Sequence, residues 1–230
     1  MKRLVISIVV VLALLVVADR VSLGLAERAV ADQARTSAGL AHTPTVTAHG
    51  FPFLTQVLRG RYSRVDVHVT DLDRGGVRMS WLDATLRGVQ VSVGDALSGG
   101  VTSIPVESLD ARALVTYAEL AHRSGLVGVS ITPEGSQVRV TAKVTVLGQS
   151  VRASALSKVT LRKGRIALTA TSVRVLGQST PTLLGALTGA LDVLVPVGTL
   201  PYDLKLTGLE VRPDGVELEA HSGPTVLVTG

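Results

Sequence analysis

Histidine, acidic and hydroxyl side chains are where catalysis or metal binding would begin in this chain, and their spacing forms no recognised site. The five histidines are His42, His49, His68, His122 and His221. None stands at the i, i+4 interval by which one helix face presents two imidazoles to a metal. His68 falls on the polar side of an alternating segment, the ordinary place for a solvated imidazole. Asp71-Leu72-Asp73-Arg74-Gly75 begins like a calcium loop but lacks the third oxygen ligand and the closing Glu, so a hairpin turn accounts for it better. No Gly-x-Ser-x-Gly elbow and no phosphate-cradling glycine loop occurs. Cysteine is absent, which removes disulfides, thiolate zinc sites and thiol nucleophiles. No catalytic residue, metal or cofactor is therefore assigned, and the chain reads as non-enzymatic.

The elements around these residues are more informative. Of 230 residues, 46% are hydrophobic and only 3% aromatic, so any core is built from branched aliphatics, which favour strands. Lys2 and Arg3 precede an apolar run from Leu4 to Ala18, broken only by Ser7 and closed by Asp19-Arg20. As a helix that run is about 22 Å long, short of the roughly 30 Å hydrocarbon core. Two readings stand: an export signal cut after Ala18 or Ala26, or a retained anchor with its basic end in the cytoplasm. Both place residues 19–230 outside the cytoplasmic membrane, as a single domain. The first eighteen residues carry two basic side chains and no acidic one, so the remainder has a formal charge of +3, too slight to argue for nucleic acid.

Leu23, Ala26, Val30 and Ala34 predict a separate amphipathic helix ending near Gly39. Beyond Pro44 the period becomes two. Val65, Val67 and Val69 alternate with Arg64, Asp66 and His68, and a second strand through Leu86, Val89, Val91 and Val93 completes a hairpin closing at Gly94. Residues 107–125 read either as a strand to Thr116 followed by a helix from Tyr117, capped by Thr116 and Glu119, or as one helix from Ser108. Gln137 to Val175 reads as a three-stranded antiparallel meander with one aliphatic face. Thr180-Pro181 opens a helix whose stripe is Leu184, Leu187, Leu191 and Leu194 and which Pro196 ends. A hairpin from Tyr202 to Ala220 and a strand from Thr225 to Val228 complete the chain. Such aliphatic faces suit a packed core and, equally, a wall for acyl chains.

Phe51 and Phe53 place two of the six aromatics within three residues, as a core plug or as a greasy lip. The stretch Gly50-Phe51-Pro52-Phe53-Leu54-Thr55-Gln56, followed by Gly60, Tyr62 and Val65-x-Val67, resembles the motif of the actinobacterial LmeA-like phospholipid-binding family, the lipomannan elongation factor type. Agreement in layout continues through Thr116-Tyr117-Ala118-Glu119-Leu120. The resemblance implies an exported envelope protein that binds phospholipid and meets the membrane surface. It also implies an α+β fold in which a long, strongly twisted antiparallel sheet wraps one or two helices. On this basis Phe51, Phe53, Leu54, Leu58, Val65, Val67, Tyr117, Leu184, Leu187 and Leu191 are the expected lipid contacts, with Arg59 and Arg61 near the headgroup. The competing reading is an envelope module with a solid core that docks onto a protein or polymer.

Overall fold

The computed structural model describes the chain apart from residues 1, 75, 93, 96–100, 147–148, 163, 176–192, 197–199 and 229–230. It is an α+β protein built on antiparallel sheets with few helices, the class expected from the sequence. The elements are α1 (Lys2–Ala38), β1 (Thr45–His49), α2 (Phe53–Arg59), β2 (Arg61–Arg74), β3 (Val77–Gln90), β4 (Ser103–Val106), β5 (Ser108–Thr116) and α3 (Tyr117–Arg123). They continue with β6 (Val127–Glu134), β7 (Gln137–Val146), β8 (Gln149–Arg162), β9 (Arg165–Val175), β10 (Val193–Pro196), β11 (Lys205–Val211), β12 (Gly215–Ser222) and β13 (Thr225–Val228). The chain divides into two compact units: Met1–Thr70 with Asp83–Ala111 and Ser222–Gly230, and Asp71–Leu82 with Arg112–His221.

In the first unit, α1 is one unbroken helix of 37 residues, about 55 Å, in which the apolar run Leu4–Ala18 continues without a break into the expected amphipathic stretch. No proline interrupts it, and it ends where Gly39 takes φ +61° and Leu40 N–H bonds to Arg35 C=O at 3.0 Å. Its first half exposes its apolar side chains, and α1 is long and apolar enough to cross a membrane. In the second half Leu23, Ala26 and Ala34 are part-buried as expected, whereas Val30 is 53% exposed and its neighbour Ala31 is buried in its place. The carboxylate of Glu27 accepts Ala48 N–H at 2.8 Å and fixes α1 to β1. β1 pairs antiparallel with β2, setting Val46 opposite Val67. The hairpin of β2 and β3 forms as expected, except that β3 stops at Gln90, before Val91. β13 pairs with β4, a strand that the sequence reading did not contain.

The second unit holds a five-stranded antiparallel sheet in the order β10-β9-β8-β7-β6. Its central meander follows from period-two alternation: Val138, Val140, Ala142 and Val144 are buried, while Lys143 and Thr145 face out. The two readings of residues 107–125 resolve in favour of strand then helix, with Thr116 Oγ1 accepting Glu119 N–H at 3.3 Å as the cap of α3. Val115, Tyr117 and Leu120 form one core cluster with Val138, Val140, Ile166, Leu168, Val195 and Val216. Val193–Pro196 is a strand paired with β9, not the end of a helix. Val195 is buried and Leu194 is 54% exposed, the alternation of a sheet edge, where Pro196 can sit without disrupting a ladder. The rest of the helix expected from Thr180, with Leu184, Leu187 and Leu191, lies outside the described residues. The last hairpin begins at Lys205, because Tyr202 and Asp203 have φ of 59° and 56° and form a turn.

Candidate lipid-binding surfaces

The Gly50–Gly60 stretch folds as a short helix set in a frame of side-chain hydrogen bonds. Pro52 follows a cis peptide bond and serves as the N-cap residue of α2, with no side-chain cap of its own. The missing acceptor comes from α1: Asp19, only 2% exposed, accepts Leu54 N–H on Oδ1 at 2.8 Å. A carboxylate there meets both the free amide and the positive end of the helix. Gln56 Oε1 accepts Ser63 N–H at 3.0 Å, joining α2 to β2. Gly50 leaves room for that side chain, since at φ +114° a Cβ would stand 2.5 Å from Gln56 Nε2. Gly60, at φ +63°, ends the helix, donates to Val57 C=O at 3.0 Å and accepts Val91 N–H at 2.9 Å.

This frame separates the two phenylalanines. Phe53 is 5% exposed and tilts against Tyr62 with ring centroids 6.1 Å apart. Phe51 is 61% exposed, and the Arg20 guanidinium lies 5.0 Å above its ring, within cation–π range. One ring therefore plugs and the other projects. Leu54 is half-buried and Leu58, four residues on, is 83% exposed. Val65 and Val67 are half-buried in β2. Arg59 is exposed and has no ion-pair or hydrogen-bond partner among the described residues, whereas Arg61 is committed to Glu107. Tyr117 belongs to the core of the second unit, where its hydroxyl donates to Arg212 C=O and burial pushes its pKa up.

The polar face of β2 is a charge network. Asp66 accepts from Arg64 Nε at 2.9 Å and from Thr85 Oγ1 at 2.9 Å, and it pairs with His49 Nε2 at 2.8 Å. The Arg64 hydrogen bonds, helped by Thr85 and His49 and opposed by burial, lower its pKa from 3.8 to about 2. Because the folded value lies below the unfolded one, the stabilisation is full above about pH 4 and disappears as pH falls towards about 2. With solvent screening of this part-exposed pair, it amounts to about 1 kcal/mol. Asp66→Asn is thus expected to melt below the parent at pH 7, with the gap closing between pH 4 and 2 in thermal scans.

In the second unit, β7 and β8 carry a buried cluster of small residues that the sequence reading did not single out. Ala142, Ala153 and Ala155 are fully buried and Val144 nearly so, with Leu126, Val129, Val151, Ala170, Val173 and Val175 only partly buried around them. The signal was present in the alternation, with alanine where neighbouring strands carry valine. Ser157, opposite Val138 and fully buried, has a hydroxyl with no hydrogen-bond partner among the described residues. A separate cleft of about 460 Å³ is polar, lined by Asp73, Gly76, Arg78, Glu119, His122 and Arg123. Although burial pushes the Glu119 carboxyl upward, its bonds to Arg123 and the Arg78 amide, with the charges of Arg123 and His122, hold it below its usual value. No group of three metal-ligating side chains occurs among the described residues.

The fold is that of an antiparallel α+β protein whose N-terminal helix is long and apolar enough to cross a membrane. The chain is a member of the LmeA-like phospholipid-binding family, whose model matches residues 17–221. No curated protein and no solved structure matches it. The match begins two residues before Asp19 and takes in the whole Gly50–Gly60 frame.

Proposed function

We propose that this chain is a non-enzymatic phospholipid-binding or lipid-transfer protein of the cell envelope. Residues 19–230 act as one lipid-binding domain at the outer face of the cytoplasmic membrane, and residues 4–18 target or tether it there. The observation that carries the reading is the family match over residues 17–221, and the part-buried aliphatic side chains beside β7 to β9, among them Val129, Val151, Val173 and Val175, are the wall it would use. Smooth aliphatic walls are what an acyl chain requires. Family membership supplies the ligand class.

Of the expected lipid contacts, Phe51, Leu54, Leu58, Val65 and Val67 are at least partly open in the first unit, Phe53 and Tyr117 are buried in packing, and Leu184, Leu187 and Leu191 stay part of the proposal. Arg59 is the better headgroup candidate, since Arg61 is engaged by Glu107. Residues 19–230, purified and extracted with organic solvent, are expected to yield stoichiometric phospholipid by mass spectrometry. Val173→Asp, which puts a charge on that part-open wall, should lower the bound lipid severalfold, with circular dichroism checking that the fold is kept. A lipid-free protein that also takes up nothing from liposomes would overturn the reading and favour a docking module with a solid core.

A further inference from the structure

The outer end of the apolar helix and the Gly50–Gly60 frame are tied directly to each other. Asp19 closes the run Leu4–Ala18 and, in the same position, holds α2 through Leu54 N–H at 2.8 Å. Arg20, the next residue, lies over Phe51. A helix of fifteen apolar residues reaches about 22 Å, so a hydrocarbon core of about 30 Å leaves it several ångströms short. A short span is met by thinning the bilayer and by drawing its flanking residues into the interface. The residues drawn down here are those fixed to Asp19, and they include Phe51 at 61% exposure and Leu58 at 83%. Arg20 and Arg59 stand beside them, long cations whose stems can lie on apolar surface while their heads meet phosphate.

From this continuity we infer that Phe51 and Leu58 form a membrane-docking element, seated in the outer interface of the bilayer that residues 4–18 enter, with Arg20 and Arg59 on anionic headgroups. The inference rests on the phospholipid-binding reading for its biological sense, but its geometry is independent of where the bound lipid sits. Docking of this kind places the α2 frame at the surface from which lipid is taken, and it explains an exposed phenylalanine in a chain with so few aromatics.

The absence of cysteine allows single labels. Full-length Phe51→Cys and Leu58→Cys, each carrying a nitroxide, would be reconstituted in phosphatidylglycerol-containing vesicles. Ala29→Cys serves as the reference: Ala29 is exposed and lies about 15 Å further along α1. Labels at 51 and 58 are expected to collide with an aqueous nickel chelate about fivefold less often than the label at 29, as for groups held below the headgroups. All three positions are exposed, so the labels should leave the fold intact, to be checked by circular dichroism. Equal accessibility at 51, 58 and 29 in vesicle-bound protein would overturn the inference. Transfer of a fluorescent phospholipid by the same unlabelled protein is scored separately, so a failure of lipid binding is not mistaken for a failure of docking.

Discussion

Gly215→Ala is expected to cost more than about 3 kcal/mol, a large share of the stability of an ordinary domain. Gly215 is buried at the start of β12, and a Cβ there would stand 2.3 Å from Val115 C=O oxygen, 2.9 Å from its carbon and 3.1 Å from Thr116 Cα. These are backbone atoms, so no rotamer change relieves the overlap. Either β12 or the end of β5 must move. Moving β12 displaces Val216 and Leu218 from the core, and moving β5 displaces Val115 and the cap of α3. Urea denaturation is the measurement. Gly223→Ala, where a Cβ meets nothing within 4 Å, should stay within about 0.5 kcal/mol of the parent. Equal midpoints for the parent and Gly215→Ala would show that the packing argument is wrong.

What the sequence made readable was local. The β5–α3 junction is written in four residues, Thr116 to Glu119, and the meander in an alternation that needs no partner to be seen. Elements held by distant partners were not readable. β4 has four residues and a proline, and it exists as a strand because β13 pairs with it. β10 looked helical because Leu194 continued a leucine stripe, whereas its pairing with β9 decides its form. Nothing within Gly50–Gln56 announced α2, which begins at Phe53 and whose cap is a side chain 35 residues away. The same limit applied to the site. Adjacency could not tell that Phe53 is buried while Phe51 projects, nor that Arg61 is spent on Glu107. The alanines of β7 and β8 were legible in composition, but their complete burial was not, because burial depends on what packs over the strands.

Asp19→Ala is expected to loosen α2 selectively and to destabilise the protein by about 2 kcal/mol. Leu54 N–H would lose an ionised acceptor, a bond stronger than a neutral one, and an unsatisfied amide would remain at a mostly covered position. Asp19→Asn keeps an acceptor oxygen but not the charge, so it should lose about half as much. Its other oxygen, Oδ2, has no hydrogen bond among the described residues and lies 3.7 Å from Arg20 Nη2, so little else offsets the loss. The effect should be concentrated in peptides covering residues 51–60, where amide exchange accelerates, while β7 to β9 keep their protection. Unchanged exchange in 51–60 would remove Asp19 from its assigned role. The same bond constrains maturation. Cleavage after Ala18 leaves Asp19 in place, whereas cleavage after Ala26 removes it and with it the only carboxylate found capping α2 among the described residues. The N-terminus of the mature protein should therefore precede residue 20, and a mature chain beginning at Glu27 would mean that the working molecule does without this clamp.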